Sequence, residues 1–172
     1  MWIDTFGANG SSGTSGGDTI RRLGFAHGRF RLGRSREGEA MNPHLFVYGT
    51  LISSSRHPMA DKLAREAKLV GGASLQGRLY RIAWYPGVVD SLDAEERVYG
   101  ELYALANPLA TFAWLDAYEG LSPGRDDNEY ARVERFARLS AAGEVTAWVY
   151  LYRRDPSRFS RIVDGRWRAP AK

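Results

Sequence analysis

After Met41 the apolar positions of the chain change period several times, and each change marks a new element. Leu45–Tyr48 is a short apolar run stopped by Gly49, which predicts a buried strand. In His57–Glu66, Met59 pairs with Leu63 and Ala60 with Ala64 at helical spacing, and Pro58 is tolerated in a first turn. Leu69–Ile82 reads as an extended segment that Gly71-Gly72 and Gly77 interrupt, so it should bend or bulge. Tyr85-Pro86-Gly87 is a turn signal, and Val98–Leu105 is a further strand. Asn107–Gly120 carries the clearest helix signature: Asn107 suits the N-cap, Pro108 the first helical position and Gly120 the C-terminal cap. Ala131–Leu139 and Val145–Tyr152 predict two more strands around a turn at Gly143, and Phe159–Val163 a short helical segment. Many strands with two or three short helices define an α+β domain, a curled sheet or small barrel.

Composition separates this patterned part from what precedes it. Residues 1–40 hold nine of the nineteen glycines, and Gly10–Gly17 has linker character. An arginine-rich stretch without period follows, so residues 1–40 are expected to form a flexible Gly/Ser/Arg-rich extension and residues 41–172 the domain. Those first forty residues carry six arginines against four acids, which accounts for half of the formal charge of +4. The remaining surplus is too small for the basic stripe that nucleic-acid binding requires. No run reaches the roughly 18 apolar residues of a membrane span, and no secretory signal is recognisable, so a cytoplasmic protein is expected. The absence of cysteine removes disulfides and thiolate chemistry, and His27, His44 and His57 lack the spacing of metal ligands. Neither metal nor cofactor is expected, and the oligomeric state is not legible.

One residue stands in the wrong place for folding. On the Asn107–Gly120 helix, Leu109, Phe112 and Leu115 make an apolar stripe, and at roughly 100° per residue Glu119 falls within about 20° of its centre. A buried carboxylate without a partner has its pKa raised, which is how a Glu becomes a general base near neutrality. Fraying of the last turn, leaving Glu119 in water, fits the periodicity equally well. Asp116, on the edge of the same face, is expected to accept hydrogen bonds from a neighbouring loop. Tyr48-Gly49-Thr50-Leu51 follows the first strand, where a glycine lets backbone N–H groups form an anion-binding nest; an ordinary turn is the plainer alternative.

Six segments in order, FVYGTL (Phe46–Leu51), YPGVV (Tyr85–Val89), VYGELYAL (Val98–Leu105), LDAYEG (Leu115–Gly120), EYARV (Glu129–Val133) and AWVYLY (Ala147–Tyr152), resemble the gamma-glutamylcyclotransferase family in its AIG2-like branch. The resemblance implies a small mixed β-barrel flanked by short helices with a cavity at one end. It also implies that Glu119 is the catalytic acid/base, that Tyr48, Gly49, Thr50 and Leu51 hold the substrate's α-carboxylate, and that Tyr130 lines the pocket. The implied reaction is attack of a γ-glutamyl α-amine on its own γ-carbonyl, releasing 5-oxoproline and an amine. The implied partner is a small γ-glutamyl amine or peptide. Ile52 replaces a basic or polar residue common in the family, and Leu121–Glu129 is long enough for a lid. A non-catalytic binding module on the same fold, or another γ-glutamyl-releasing enzyme, is the competing expectation.

Overall fold

A computed structural model describes residues 40–140 and 143–169. The extension expected over residues 1–40 thus lies outside the described residues, save for Ala40. In chain order the elements are β1 (His44–Val47), α1 (Pro58–Glu66), β2 (Ala67–Gln76), β3 (Arg78–Arg81), β4 (Pro86–Val89), β5 (Arg97–Leu105), α2 (Pro108–Tyr118), β6 (Tyr130–Leu139), β7 (Glu144–Tyr152) and β8 (Ser160–Ile162). Strands β1-β5-β2-β6-β7 form a closed barrel, and β4-β3-β8 form a separate three-stranded sheet. All barrel pairings are antiparallel except the seam, where Leu45 of β1 meets Trp148 of β7 in parallel. The α+β class and the small mixed barrel expected from the sequence are both present.

Strand alternation divides the core into two. Phe46 and Tyr48, Val98 and Leu102, and Ala147, Val149 and Leu151 share the cluster that also takes in Leu79 and Val88 of the small sheet. Their neighbours Leu45, Val47, Tyr103, Leu105, Tyr150 and Tyr152 belong to the second cluster, closed by Leu63 of α1 and by Phe112 and Leu115 of α2. Strands β1, β5 and β7 thus bury apolar residues on both faces, one toward the barrel interior and one toward the helices. Gly100 is required by a close approach: a Cβ there would lie 2.0 Å from the Val47 carbonyl oxygen of β1.

The expected bend of the Leu69–Ile82 segment is real and has two parts. The β2–β5 register slips between Leu69 and Gly71, and the chain breaks at Gly77 into β2 and β3. Two local expectations fail. Tyr85-Pro86-Gly87, a turn by composition, opens strand β4, which pairs with β3 from Arg81↔Pro86 to Arg78↔Val89. Pro86 is tolerated because it starts the strand. The helical segment expected near Phe159–Val163 is instead β8, held to β3 through Leu79↔Ile162 and Arg81↔Ser160. A three-residue strand has too little length for a period, so sheet pairing decides it.

The helices follow their caps. His57 accepts the Met59 N–H through Nδ1 at 3.2 Å, and Asn107 Oδ1 accepts the Ala110 N–H at 3.2 Å. Glu66 joins the two helices, accepting from Trp114 Nε1 at 2.7 Å and from Thr111 Oγ1 at 3.4 Å. That link sets the rotation of α2. Thr111 is buried to 1% exposure, whereas Leu109, expected in the core stripe, is 70% exposed. The buried face is therefore Thr111, Phe112 and Leu115, and Glu119 still lies within about 30° of its centre at 100° per residue.

Candidate active site

Helix α2 ends in a Schellman motif. The Gly120 N–H bonds to the Ala117 carbonyl at 3.2 Å and the Leu121 N–H to the Asp116 carbonyl at 2.8 Å. Gly120 takes φ +72°, the left-handed conformation that closes the motif. Glu119 is the cap residue immediately before that reversal, so it is held by backbone geometry rather than by its own side chain. The helix does not fray there.

Glu119 lines a cavity of about 280 Å³. The turn after β1 contributes Tyr48, Gly49, Thr50 and Leu51 to the same cavity, and the start of β6 contributes Tyr130. All six residues singled out in the sequence are thereby brought together from three separated segments. Their hydroxyl groups are braced. Tyr48 donates to the Tyr150 carbonyl at 2.7 Å, Tyr130 donates to the Pro86 carbonyl at 2.8 Å, and Thr50 Oγ1 shares a hydrogen bond of 3.0 Å with the Tyr118 hydroxyl. Gly49 faces Pro86, whose Cγ would lie 2.9 Å from a Cβ at that position. None of the hydrogen bonds among the described residues uses the N–H of Gly49, Thr50 or Leu51.

The electrostatics of Glu119 are governed by burial alone. Desolvation pushes its carboxyl up to about 7, and among the described residues it has no ion-pair or hydrogen-bond partner for its side chain. The Tyr48, Tyr118, Tyr130 and Tyr150 hydroxyls are all raised, chiefly by their own burial and further by the nearby Glu119 charge. Four phenols therefore stand near Glu119, and each remains neutral at physiological pH.

Asp116 is engaged as expected in structure, though not with a loop. It accepts the Tyr150 hydroxyl of β7 at 2.7 Å and faces Arg132 of β6 at 3.4 Å. The Arg132 guanidinium lies over the Phe112 ring at 4.1 Å and the Trp148 ring at 5.2 Å, locking α2 onto the barrel. Through Tyr150 this cluster supports one wall of the cavity.

The cavity also contains residues the sequence did not single out: Trp84, Tyr85, Tyr118, Glu129 and Tyr150. Tyr118 and Glu129 adjoin chosen residues, and adjacency was a usable signal. Trp84 and Tyr150 carried none, because their place depends on the β3–β4 connection and the barrel seam. The Leu121–Glu129 stretch is organised by Asn128, which donates to the Ser122 and Arg125 carbonyls and accepts the Ser122 N–H, each at 3.1 Å.

Residues 45–169 match the family described as gamma-glutamyl cyclotransferase, AIG2-like. The gamma-glutamylcyclotransferase family protein YtfP of Escherichia coli K12 is 33% identical over 125 residues, covering 72% of this chain and 94% of that protein. The gamma-L-glutamyl-butirosin B gamma-glutamyl cyclotransferase of Niallia circulans is 33% identical over 131 residues, covering 74% and 78%. Among solved structures, YkqA of Bacillus subtilis superposes with a TM-score of 0.55 at 25% identity, over 74% of this chain but only 40% of its own. A closed five-stranded barrel whose helix delivers an unpartnered carboxylate to the cavity, together with these matches, places the chain in the gamma-glutamylcyclotransferase family.

Proposed function

We propose that this protein is a gamma-glutamylcyclotransferase in activity, with Glu119 as its acid/base. The observation that carries the reading is the unpartnered Glu119 carboxyl, raised to about 7 in a cavity also lined by Gly49, Thr50 and Leu51, whose N–H groups have no partner among the described residues. A relative that is a gamma-L-glutamyl-butirosin B gamma-glutamyl cyclotransferase supports the same reading.

In this mechanism the N–H groups of the turn hold the substrate's α-carboxylate. The Glu119 carboxylate takes one proton from the α-ammonium, and the freed amine attacks the γ-carbonyl carbon. A carbon–nitrogen bond forms and the carbonyl oxygen becomes an oxyanion, which the Tyr118 hydroxyl can stabilise when Thr50 Oγ1 donates to it. As the bond to the leaving nitrogen breaks, Glu119 returns its proton to that nitrogen. The extra proton on the new ring nitrogen passes through the freed carboxylate to the amine product, which departs as an ammonium ion. The products are 5-oxoproline and the amine, and Glu119 ends as it began. Nucleophile and electrophile belong to one molecule, so the protein supplies mainly orientation and proton transfer.

The test is a panel of γ-glutamyl amines and peptides incubated with the purified chain, with 5-oxoproline detected by mass spectrometry. Release of 5-oxoproline from at least one of them, lost in Glu119→Gln, is the expected result. Tight binding of γ-glutamyl compounds without any 5-oxoproline would replace this reading with a binding function.

A further inference from the structure

The cavity wall away from the Gly49–Leu51 turn has its own chemistry. Two carboxylates, Glu119 and Glu129, line the cavity, and no Lys, Arg or His does so among the described residues. Glu129 forms no ion pair among those residues; it is held only by the Tyr85 hydroxyl, which donates to its two oxygens at 3.2 and 3.4 Å. Trp84 packs edge-on against Tyr85, centroids 5.1 Å apart at 85°, and remains 62% exposed. A large aromatic ring left open at the mouth of a cavity, next to an unpaired carboxylate, is a surface suited to a cation.

The neighbouring cations do not fill this role. Arg153 Nη1 donates to the Asp126 carbonyl at 3.3 Å and Arg154 Nη2 to the Asp127 carbonyl at 3.4 Å, so both are turned to the 122–128 loop. Arg125 is paired with Asp127 at 2.6 Å. Arg154 does reach Tyr85 electrostatically, opposing Glu129, but it does not line the cavity.

We infer that Trp84, Tyr85 and Glu129 form the leaving-group subsite, and that the amine this enzyme releases carries a positive charge of its own, as a diamine does. This rests on the cyclotransferase reading, which assigns the turn to the α-carboxylate and Glu119 to the reacting amine. The remaining wall, open at Trp84, is where the rest of the substrate must emerge. An anionic tail there meets two carboxylates and no cation. A cationic tail finds Glu129 and the face of Trp84.

The experiment uses three γ-L-glutamyl amides with five-carbon tails: 1,5-diaminopentane, pentylamine and 5-aminopentanoate. The full chain is assayed for 5-oxoproline and, in parallel, for binding by calorimetry. kcat/KM and affinity should fall in the order cationic, neutral, anionic, with roughly tenfold steps that shrink as salt is raised. Glu129→Gln and Trp84→Ala should each reduce the cationic-to-anionic ratio severalfold. Equal or reversed order in affinity, or no binding of any of the three, overturns the inference. 5-Oxoproline formation without charge preference leaves the cyclotransferase reading standing and removes this one. The predicted order of affinities without 5-oxoproline removes the cyclotransferase reading and the leaving-group role with it, and leaves these residues only as a cation-selective wall.

Discussion

Two carboxylates of this barrel, Glu96 and Glu119, show what a partner does to a charge. Glu96 lies between the barrel and the small sheet, its side chain 12% exposed, and accepts from the Ser91 hydroxyl, from Arg78 Nε at 2.5 Å and from Arg161 Nη2 at 2.7 Å. The Ser91 hydrogen bond above all, with the two guanidinium groups, holds its carboxyl below the usual range despite the opposing effect of burial. Glu119 is buried more deeply and has none of these partners, and its carboxyl rises to about 7. One is an ionised staple of the fold; the other is a carboxyl poised near neutrality. Deep burial without a partner at one site, and partnering at the other, separate the two.

The largest effect expected on that contrast is Glu119→Gln. The amide keeps the shape of the side chain but cannot accept the ammonium proton, so 5-oxoproline formation should drop by about 10²–10⁴ with the circular dichroism spectrum unchanged. Wild-type turnover by this variant would falsify the assignment.

The pH dependence should then have opposite signs at the two sites. Glu119 has a folded pKa raised from 4.5 to about 7, so the stability it allows is complete below 4.5 and falls as pH rises through 7. Glu119→Gln should therefore be more stable than wild type at pH 8, by up to about 3 kcal/mol, and no more stable at pH 4. Denaturant titrations at the two values measure this, and a constant difference would show that Glu119 is not the desolvated group. Catalysis should follow the same ionisation, kcat/KM rising through pH 7.

Asp116→Asn should be smaller in rate and clearer in stability. It weakens the Tyr150–Asp116–Arg132 cluster, leaving a guanidinium short of a counter-ion, at about 1–3 kcal/mol. Turnover should fall by no more than roughly tenfold, because Asp116 acts through Tyr150 and transfers no proton. A rate loss equal to that of Glu119→Gln would put Asp116 in the chemistry. Least affected should be Glu96→Gln, with turnover within about twofold of wild type and a lower Tm at pH 7 that converges with wild type as pH falls below 4.5. A Tm gain at pH 7 would contradict the stapling role.

The elements with strong local chemistry were the ones legible in advance. Asn107, Pro108 and Gly120 bound α2 because capping is local, and the periodicity put Glu119 on the buried side even though Leu109 turned out exposed. That error came from a long-range contact, Thr111 and Trp114 meeting Glu66, which rotates the helix. The small sheet escaped for the same reason: β4 begins with a turn-like Tyr-Pro-Gly and β8 has three residues, so only their pairing with β3 makes them strands. The turn after β1, Glu119 and Tyr130 were read from motifs. Trp84 could not be, since nothing in its own segment reveals that it lines the same cavity as Glu129.

The single parallel contact between Leu45 and Trp148 that closes the barrel also orders events in time. Strands β6 and β7 are joined by a short connection and pair from Tyr130↔Tyr152 to Arg138↔Glu144, so their loop-closure cost is low. The seam joins opposite ends of the domain and is the slowest contact to find. Because the cavity needs Tyr48–Leu51 beside Tyr150, the site comes into being only when that seam shuts. Pulse-labelled hydrogen exchange during refolding should protect β6–β7 amides before those of β1. Simultaneous protection would mean the barrel closes in one cooperative step, with no interval in which a folded hairpin waits for its active site.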